Sequence, residues 1–122
     1  MFDRDLVNEI LSQILTAANR IKRRCAGIFK PDDFLVSEDG FDKLDAICMM
    51  LIAIGENLKN LDRITNGRLL VRYPEVDWKG AKGMRDIISH HYFDLNAEVV
   101  FSICQDRIPG LIKTITKMKG AL

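Results

Sequence analysis

The chain has 122 residues, 48% apolar and 29% charged, with a net charge of +1. That length suits one hydrophobic core rather than two, so a single domain over residues 1–122 is expected, and the composition is that of an ordinary soluble globular protein. Nothing global pulls toward nucleic acid, although residues 1–62 carry eight basic against eleven acidic side chains and residues 63–122 ten against six.

Leu6, Ile10, Ile14, Ala17 or Ala18, Ile21, Cys25 and Ile28 recur at three- and four-residue steps. This predicts a long amphipathic helix of about 24 residues, ended by Pro31. A polar connection then runs to about Gly40. A second long helix carries Phe41, Leu44, Ile47, Cys48, Leu51, Ile54, Leu58 and Leu61. Its middle, from Ile47 to Ile54, is apolar almost all round, which predicts deep burial or contact with more than one neighbour. Met49 and Met50 are expected to fill a core or a dimer interface.

Asn66-Gly67 is a stop signal, and Pro74 forbids a continuous helix through the next segment. Asp77 is a good N-cap for a third, shorter helix with Trp78, Ala81, Met84, Ile87 and Ile88 on its stripe. Trp78 is expected to pack a helix start. Asn96 can cap a fourth helix, with Leu95 stapled onto Val100 and a stripe of Val100, Phe101, Cys104, Ile108, Leu111, Ile112, Ile115 and Met118. Pro109-Gly110 is expected to kink that helix rather than end it. No strand-like alternation or internal repeat is present, so the expected architecture is an all-α, four-helix, up-and-down bundle.

Cys25, Cys48 and Cys104 are odd in number and form no CxxC pair. This argues against a disulfide framework or a zinc site and fits a reducing cytoplasm, with three buried thiols on apolar stripes. The N-terminus is acidic where a signal peptide would be basic, and the most apolar run, Ala46 to Gly55, is too short to span a bilayer. A cytoplasmic protein with no membrane partner is expected, and neither a metal nor another cofactor is implied.

The chemistry concentrates in residues 85–92, Arg-Asp-Ile-Ile-Ser-His-His-Tyr, which hold both histidines of the chain and one of its two tyrosines. Arginine offers a planar fork of donors suited to phosphate. Histidine exchanges protons near neutral pH. The combination points to cleavage or transfer of phosphate esters, whereas a local Arg, Asp and His cluster on a helical protein is also commonly a solvated face. Lys79 and Lys82, upstream of Arg85, would extend a phosphate-contacting surface. The run Arg20, Lys22, Arg23 and Arg24 reads more simply as a solvated helix C-terminus, where cations are favoured.

Ile54-Gly55-Glu56, the run Tyr73-Pro74-Glu75-Val76-Asp77-Trp78, Gly83-Met84-Arg85-Asp86 and His90-x-Tyr92-Phe93-Asp94 occur in one order, followed by Ile108-Pro109-x-Leu111. As a set they resemble the HEPN superfamily, and within it the HepT-like toxins paired with minimal nucleotidyltransferases. Arg85, His90 and Tyr92 match its Arg-x-x-x-x-His-x-Tyr motif. Asp86 stands where the family more often has Asn. His91 occupies the variable place beside His90, and the offset to Tyr92 selects His90 as the catalytic imidazole.

The resemblance implies a metal-independent endoribonuclease toxin in which the RNA's own 2′-OH attacks the adjacent phosphate and leaves a 2′,3′-cyclic phosphate. His90 would act as general base or acid, Arg85 would hold the phosphate, and Asp86 would orient the imidazole or the guanidinium. His91, with Lys79 and Lys82, would contact RNA; no DNA is expected as a partner. On a regular helix Arg85 and His90 lie about 140° and about 7.5 Å apart. Either the helix ends at residues 89–91, or the arginine reaches around, or a second copy completes the site. The last fits the family, which pairs motifs in a homodimer cleft. The resemblance further implies a nucleotidyltransferase antitoxin, with Tyr92 as acceptor of AMP. The rival reading is a non-catalytic HEPN module that binds nucleotide or scaffolds a nucleotidyltransferase. Gly55 would permit close helix approach, and Glu56, a carboxylate in an apolar helix, needs a partner such as Arg85 or a backbone amide.

Overall fold

Asp3 opens the first helix, its carboxylate accepting from the N–H groups of Asp5 and Leu6 at 3.0 and 3.1 Å. A computed structural model describes residues 3–91 and 96–122, without the side chains of residues 90 and 91. Helix α1 (Arg4–Cys25) buries Val7, Leu11, Ile14, Ala18 and Ile21. Leu6, expected on that stripe, is exposed, because the buried face is centred one residue later, on Val7. The helix also stops short of Pro31: the Ala26 N–H turns back to the Arg23 carbonyl and the Ile28 N–H to that of Cys25. Ile28 is nevertheless buried.

The connection is less polar in function than in composition. Residues Pro31–Phe34 form a 3-10 turn, tied by the Asp33 carboxylate, which accepts from the Phe29 and Lys30 N–H groups at 2.8 and 3.2 Å. Phe34 is fully buried, worth about 1.5–3 kcal/mol of apolar burial. Helix α2 (Glu38–Ile64) starts earlier than Phe41, because Ser37 caps it by accepting from the Gly40 N–H at 3.0 Å. Gly40 therefore lies inside the first turn, where a Cβ would collide with the Asp33 carbonyl oxygen.

Ile47, Cys48, Leu51, Ile54, Leu58 and Leu61 of α2 enter the core, but Met49 is 60% exposed and Phe41 42%. Of the two outcomes expected for the apolar middle of α2, the structure shows contact with more than one neighbour, α1 and the third helix, rather than burial all round; Met50 is partly buried. Asn66 and Gly67, at φ 54° and 69°, end the segment in the left-handed region that Asn and Gly tolerate best. Leu69 and Leu70 then return to the core ahead of a 3-10 turn at Leu70–Arg72.

Helix α3 (Trp78–His91) begins where expected, with the Asp77 carboxylate accepting from the Gly80 N–H at 3.0 Å. Trp78 is buried and donates its indole N–H to the Tyr73 carbonyl at 2.8 Å. Ile88 is buried, whereas Ile87, placed on the same stripe by the sequence, is exposed. Asn96 caps α4 (Ala97–Ser102) by accepting from the Glu98 N–H at 2.8 Å. The anticipated Leu95 staple lies outside the described residues.

A π-helical turn at Ile103–Arg107 links α4 to α5 (Ile108–Gly120), so the fourth helix continues as expected. The irregularity, however, precedes Pro109 instead of centring on it. The Ile108 N–H bonds back five residues to the Ile103 carbonyl. This leaves Pro109 in the first turn of α5, where no amide donor is needed. Helix α2 packs between α1 and α3, and α5 packs on α1. The result is an all-α four-helix bundle. Cys25, Cys48 and Cys104 are buried free thiols, and Cys104 of the π turn meets Cys25 at the end of α1. Among the described residues no helix is long and apolar enough to cross a membrane.

Candidate active site

The α2–α3 seam places the motif arginine. A Cβ on Gly55 would lie 3.0 Å from the Cβ of Arg85 and 3.3 Å from the carbonyl oxygens of Ala81 and Lys82. The absence of a side chain at Gly55 therefore lets the backbone of α3 settle against α2 at the level of Arg85. Glu56, the next residue, finds in Arg85 the partner that a carboxylate in this helix calls for: its Oε1 lies 2.7 Å from Arg85 Nε. That contact orients the guanidinium plane from the α2 side.

Asp86 holds the other edge. Its Oδ1 accepts from Arg85 Nη1 at 3.1 Å and lies 3.6 Å from Lys59 Nζ on α2. The Arg85 hydrogen bond, followed by the charge of Lys59, holds the Asp86 carboxyl below its usual range, so it is ionised at neutral pH. Arg85, Glu56, Asp86 and Lys59 thus form one charge-balanced chain across two helices. All four side chains are partly solvent-exposed. Lys59 is a member that the sequence reading missed. The available signal was its spacing, one turn beyond Glu56 on α2, but its relevance depends on which face of α2 meets α3.

The remaining candidates divide. Lys82 points its ammonium at Asp62 of α2 and is only partly exposed, so it ties the two helices together. Lys79 is exposed on the first turn of α3. Helix α3 stays regular through His91, so Arg85 and His90 keep the helical offset and no early helix end draws them together. In register, Lys79, Lys82, Asp86 and His90 follow one another by three, four and four residues along one stripe. The side chains of His90 and His91, and Tyr92 with its anticipated role, lie outside the described residues.

Arg85 and Asp86 occupy an open face. A cavity of about 360 Å³ lies instead between α3 and the fourth helix, lined by Ile54, Met84, Val99, Ile103 and Leu111 among others; neither Arg85 nor Asp86 reaches it. An exposed cation beside a helix surface suits a polymer backbone better than a small enclosed ligand. Among the described residues no three His, Cys, Asp or Glu side chains gather as a metal-binding group.

Residues 14–118 match the family described as Ribonuclease HepT-like. A protein of Methanocaldococcus jannaschii named "Putative RNase" is 37% identical over 73 residues, which is 60% of this chain and 57% of that one. A protein from Caldanaerobacter subterraneus subsp. tengcongensis, likewise named "Putative RNase", is 32% identical over 73 residues, 60% of this chain and 62% of that one. The chain thus spans about three fifths of the length of these curated relatives. No solved structure matches the chain significantly.

Proposed function

The chain belongs to the HepT-like ribonuclease family of the HEPN superfamily, and from that premise we propose that it is a metal-independent endoribonuclease acting as the toxin of a toxin–antitoxin pair. The observation that carries the reading is the Arg85 guanidinium, oriented by Glu56 on an open face of the helix that also bears His90. The RNA 2′-oxygen attacks the adjacent phosphorus while its proton passes to an imidazole. The O2′–P bond forms, the P–O5′ bond breaks, and the departing 5′-oxygen takes a proton from an imidazolium. Arg85 stabilises charge on the non-bridging oxygens. Asp86 sets the position of the guanidinium in the free protein, and Lys79 and His91 contact the RNA backbone.

A regular α3 separates Arg85 from His90 by about 140° around the axis, which favours a homodimer in which the two motifs share one cleft. Such a dimer offers two imidazoles, one as base and one as acid. A minimal nucleotidyltransferase neutralises the toxin. AMP transferred to the Tyr92 hydroxyl adds a bulky anion beside the cleft and excludes RNA by charge and volume.

The test is incubation of wild-type protein and His90→Ala with total cellular RNA in EDTA, scored by gel and end-group analysis. Cleavage leaving 2′,3′-cyclic ends in the wild type and none in the variant is expected. No cleavage by wild-type protein whose Tyr92 is free of AMP by mass would replace this reading with a non-catalytic module that binds nucleotide or scaffolds a nucleotidyltransferase.

A further inference from the structure

One oxygen atom, Asp86 Oδ1, is shared by two cations from different helices: Arg85 Nη1 at 3.1 Å and Lys59 Nζ at 3.6 Å. Two converging cations around a single anionic oxygen are the arrangement a phosphate oxygen seeks. The oxygen found there belongs to the protein itself. We propose that Arg85 and Lys59 form a phosphate subsite for RNA, that Asp86 plugs this subsite in the free protein, and that Lys59 is a second phosphate-binding residue. The proposal rests on reading Arg85 as the group that binds RNA phosphate.

Three features support it. First, the guanidinium has two distinct attachments: Glu56 takes Nε, and Asp86 takes Nη1. Withdrawal of Asp86 therefore leaves the arginine held by Glu56 and still aimed at the vacated position. Second, Asp86 and Lys59 are substantially exposed, and an ion pair in that setting is easily broken. A polyanion that releases counterions on binding can displace it. Third, a carboxylate and a phosphodiester carry the same charge and present comparable acceptor oxygens, so exchange of one for the other leaves both cations compensated. The plug thus blunts attraction for single anions while a nucleic acid, engaging several cations at once, overcomes it.

The subsite is tested by equilibrium binding of a fluorescent single-stranded RNA in EDTA across a salt series, with His90→Ala as the uncleaving parent. Adding Asp86→Asn, which keeps the shape of the side chain and removes its charge, is expected to tighten binding about three- to tenfold and to steepen the salt dependence. Adding Lys59→Ala to that variant is expected to abolish the gain. Glu98→Gln removes an exposed carboxylate from the first turn of α4 and controls for net charge. Thermal melts confirm that each variant folds.

The proposal is overturned if Asp86→Asn binds no tighter, if the gain survives Lys59→Ala, or if Glu98→Gln tightens binding equally. Because binding is read on an uncleaving parent, the two readings fail separately. RNA cut by wild-type protein without an Asp86→Asn gain removes the plug alone. RNA bound through Lys59 and Arg85 but never cut by wild-type protein removes the nuclease and leaves the subsite.

Discussion

Gly55 and Arg85 meet backbone to side-chain root: a Cβ on the glycine would stand 3.0 Å from that of the arginine. The contact couples the packing of α2 against α3 to the aim of the guanidinium. A bulkier residue at position 55 must push α3 outward, because two of its three neighbours are backbone carbonyl oxygens. Gly55→Val is expected to lower stability by about 1–3 kcal/mol through overpacking. It should also reduce RNA cleavage more than its folded fraction accounts for. Urea denaturation beside cleavage assays separates the two effects.

Arg85→Lys keeps the charge and loses the fork. A lysine cannot hold Glu56 through one nitrogen and a phosphate oxygen through another in the same plane. Turnover is expected to fall by about a hundredfold, with RNA affinity changed far less, because a fixed donor acts mainly as charge develops in the transition state. Single-turnover kinetics on a short RNA provide the measurement.

Lys79 and Lys82 look equivalent in sequence but not in space. Lys82 is committed to Asp62, whereas Lys79 stands exposed on the same helix stripe. Lys79→Ala is expected to reduce the slope of log affinity against log salt by about 0.7, the value of one single-strand phosphate contact. Lys82→Ala should leave the slope almost intact and lower stability by up to about 1 kcal/mol. Equal slopes for the two variants would contradict this division.

Burial, reinforced by the charge of Asp45, pushes the Cys48 thiol up to about 11 from 9.0. The unfolded chain loses this proton first, so between these values the folded state binds more protons and stability falls as pH rises. The loss approaches roughly 1.4 kcal/mol per pH unit from this one group, and nothing is lost below the unfolded value. In Cys48→Ala the alkaline limb of the stability profile should flatten, apart from a constant offset for the smaller side chain. Urea midpoints measured from pH 8 to 11 in both proteins provide the comparison.

The features that sequence reading identified are those whose cause is local or whose anomaly demands a remedy. Asp77 and Asn96 are caps by residue type and position, and Asn66-Gly67 is a turn by its tolerance of positive φ. Glu56 was conspicuous as a carboxylate in an apolar helix, and its need for a partner pointed across to Arg85. Phe34 escaped notice because a single buried ring inside a polar run has no periodicity to announce it. Lys59 and Asp62 escaped because their partners are set by the register of α2 against α3, which no pattern within either helix encodes. Exposed Met49 and Ile87 show the converse: apolar character alone does not decide which side of a helix meets the core.

The π turn at Ile103–Arg107 carries a consequence for insertions and deletions. Such a turn holds one more residue than the α-helical length it replaces. Elsewhere in the fourth helix, removing a residue rotates everything downstream by about 100° and turns Ile115 and Met118 out of the core. Within 103–107 the same deletion relaxes the wide turn to an ordinary one and leaves both flanks in phase. The cyclic group of Pro109 would then press on a carbonyl of the restored α ladder. The deletion is therefore tolerable together with Pro109→Ala and damaging without it, which makes the surplus residue and the proline a matched pair.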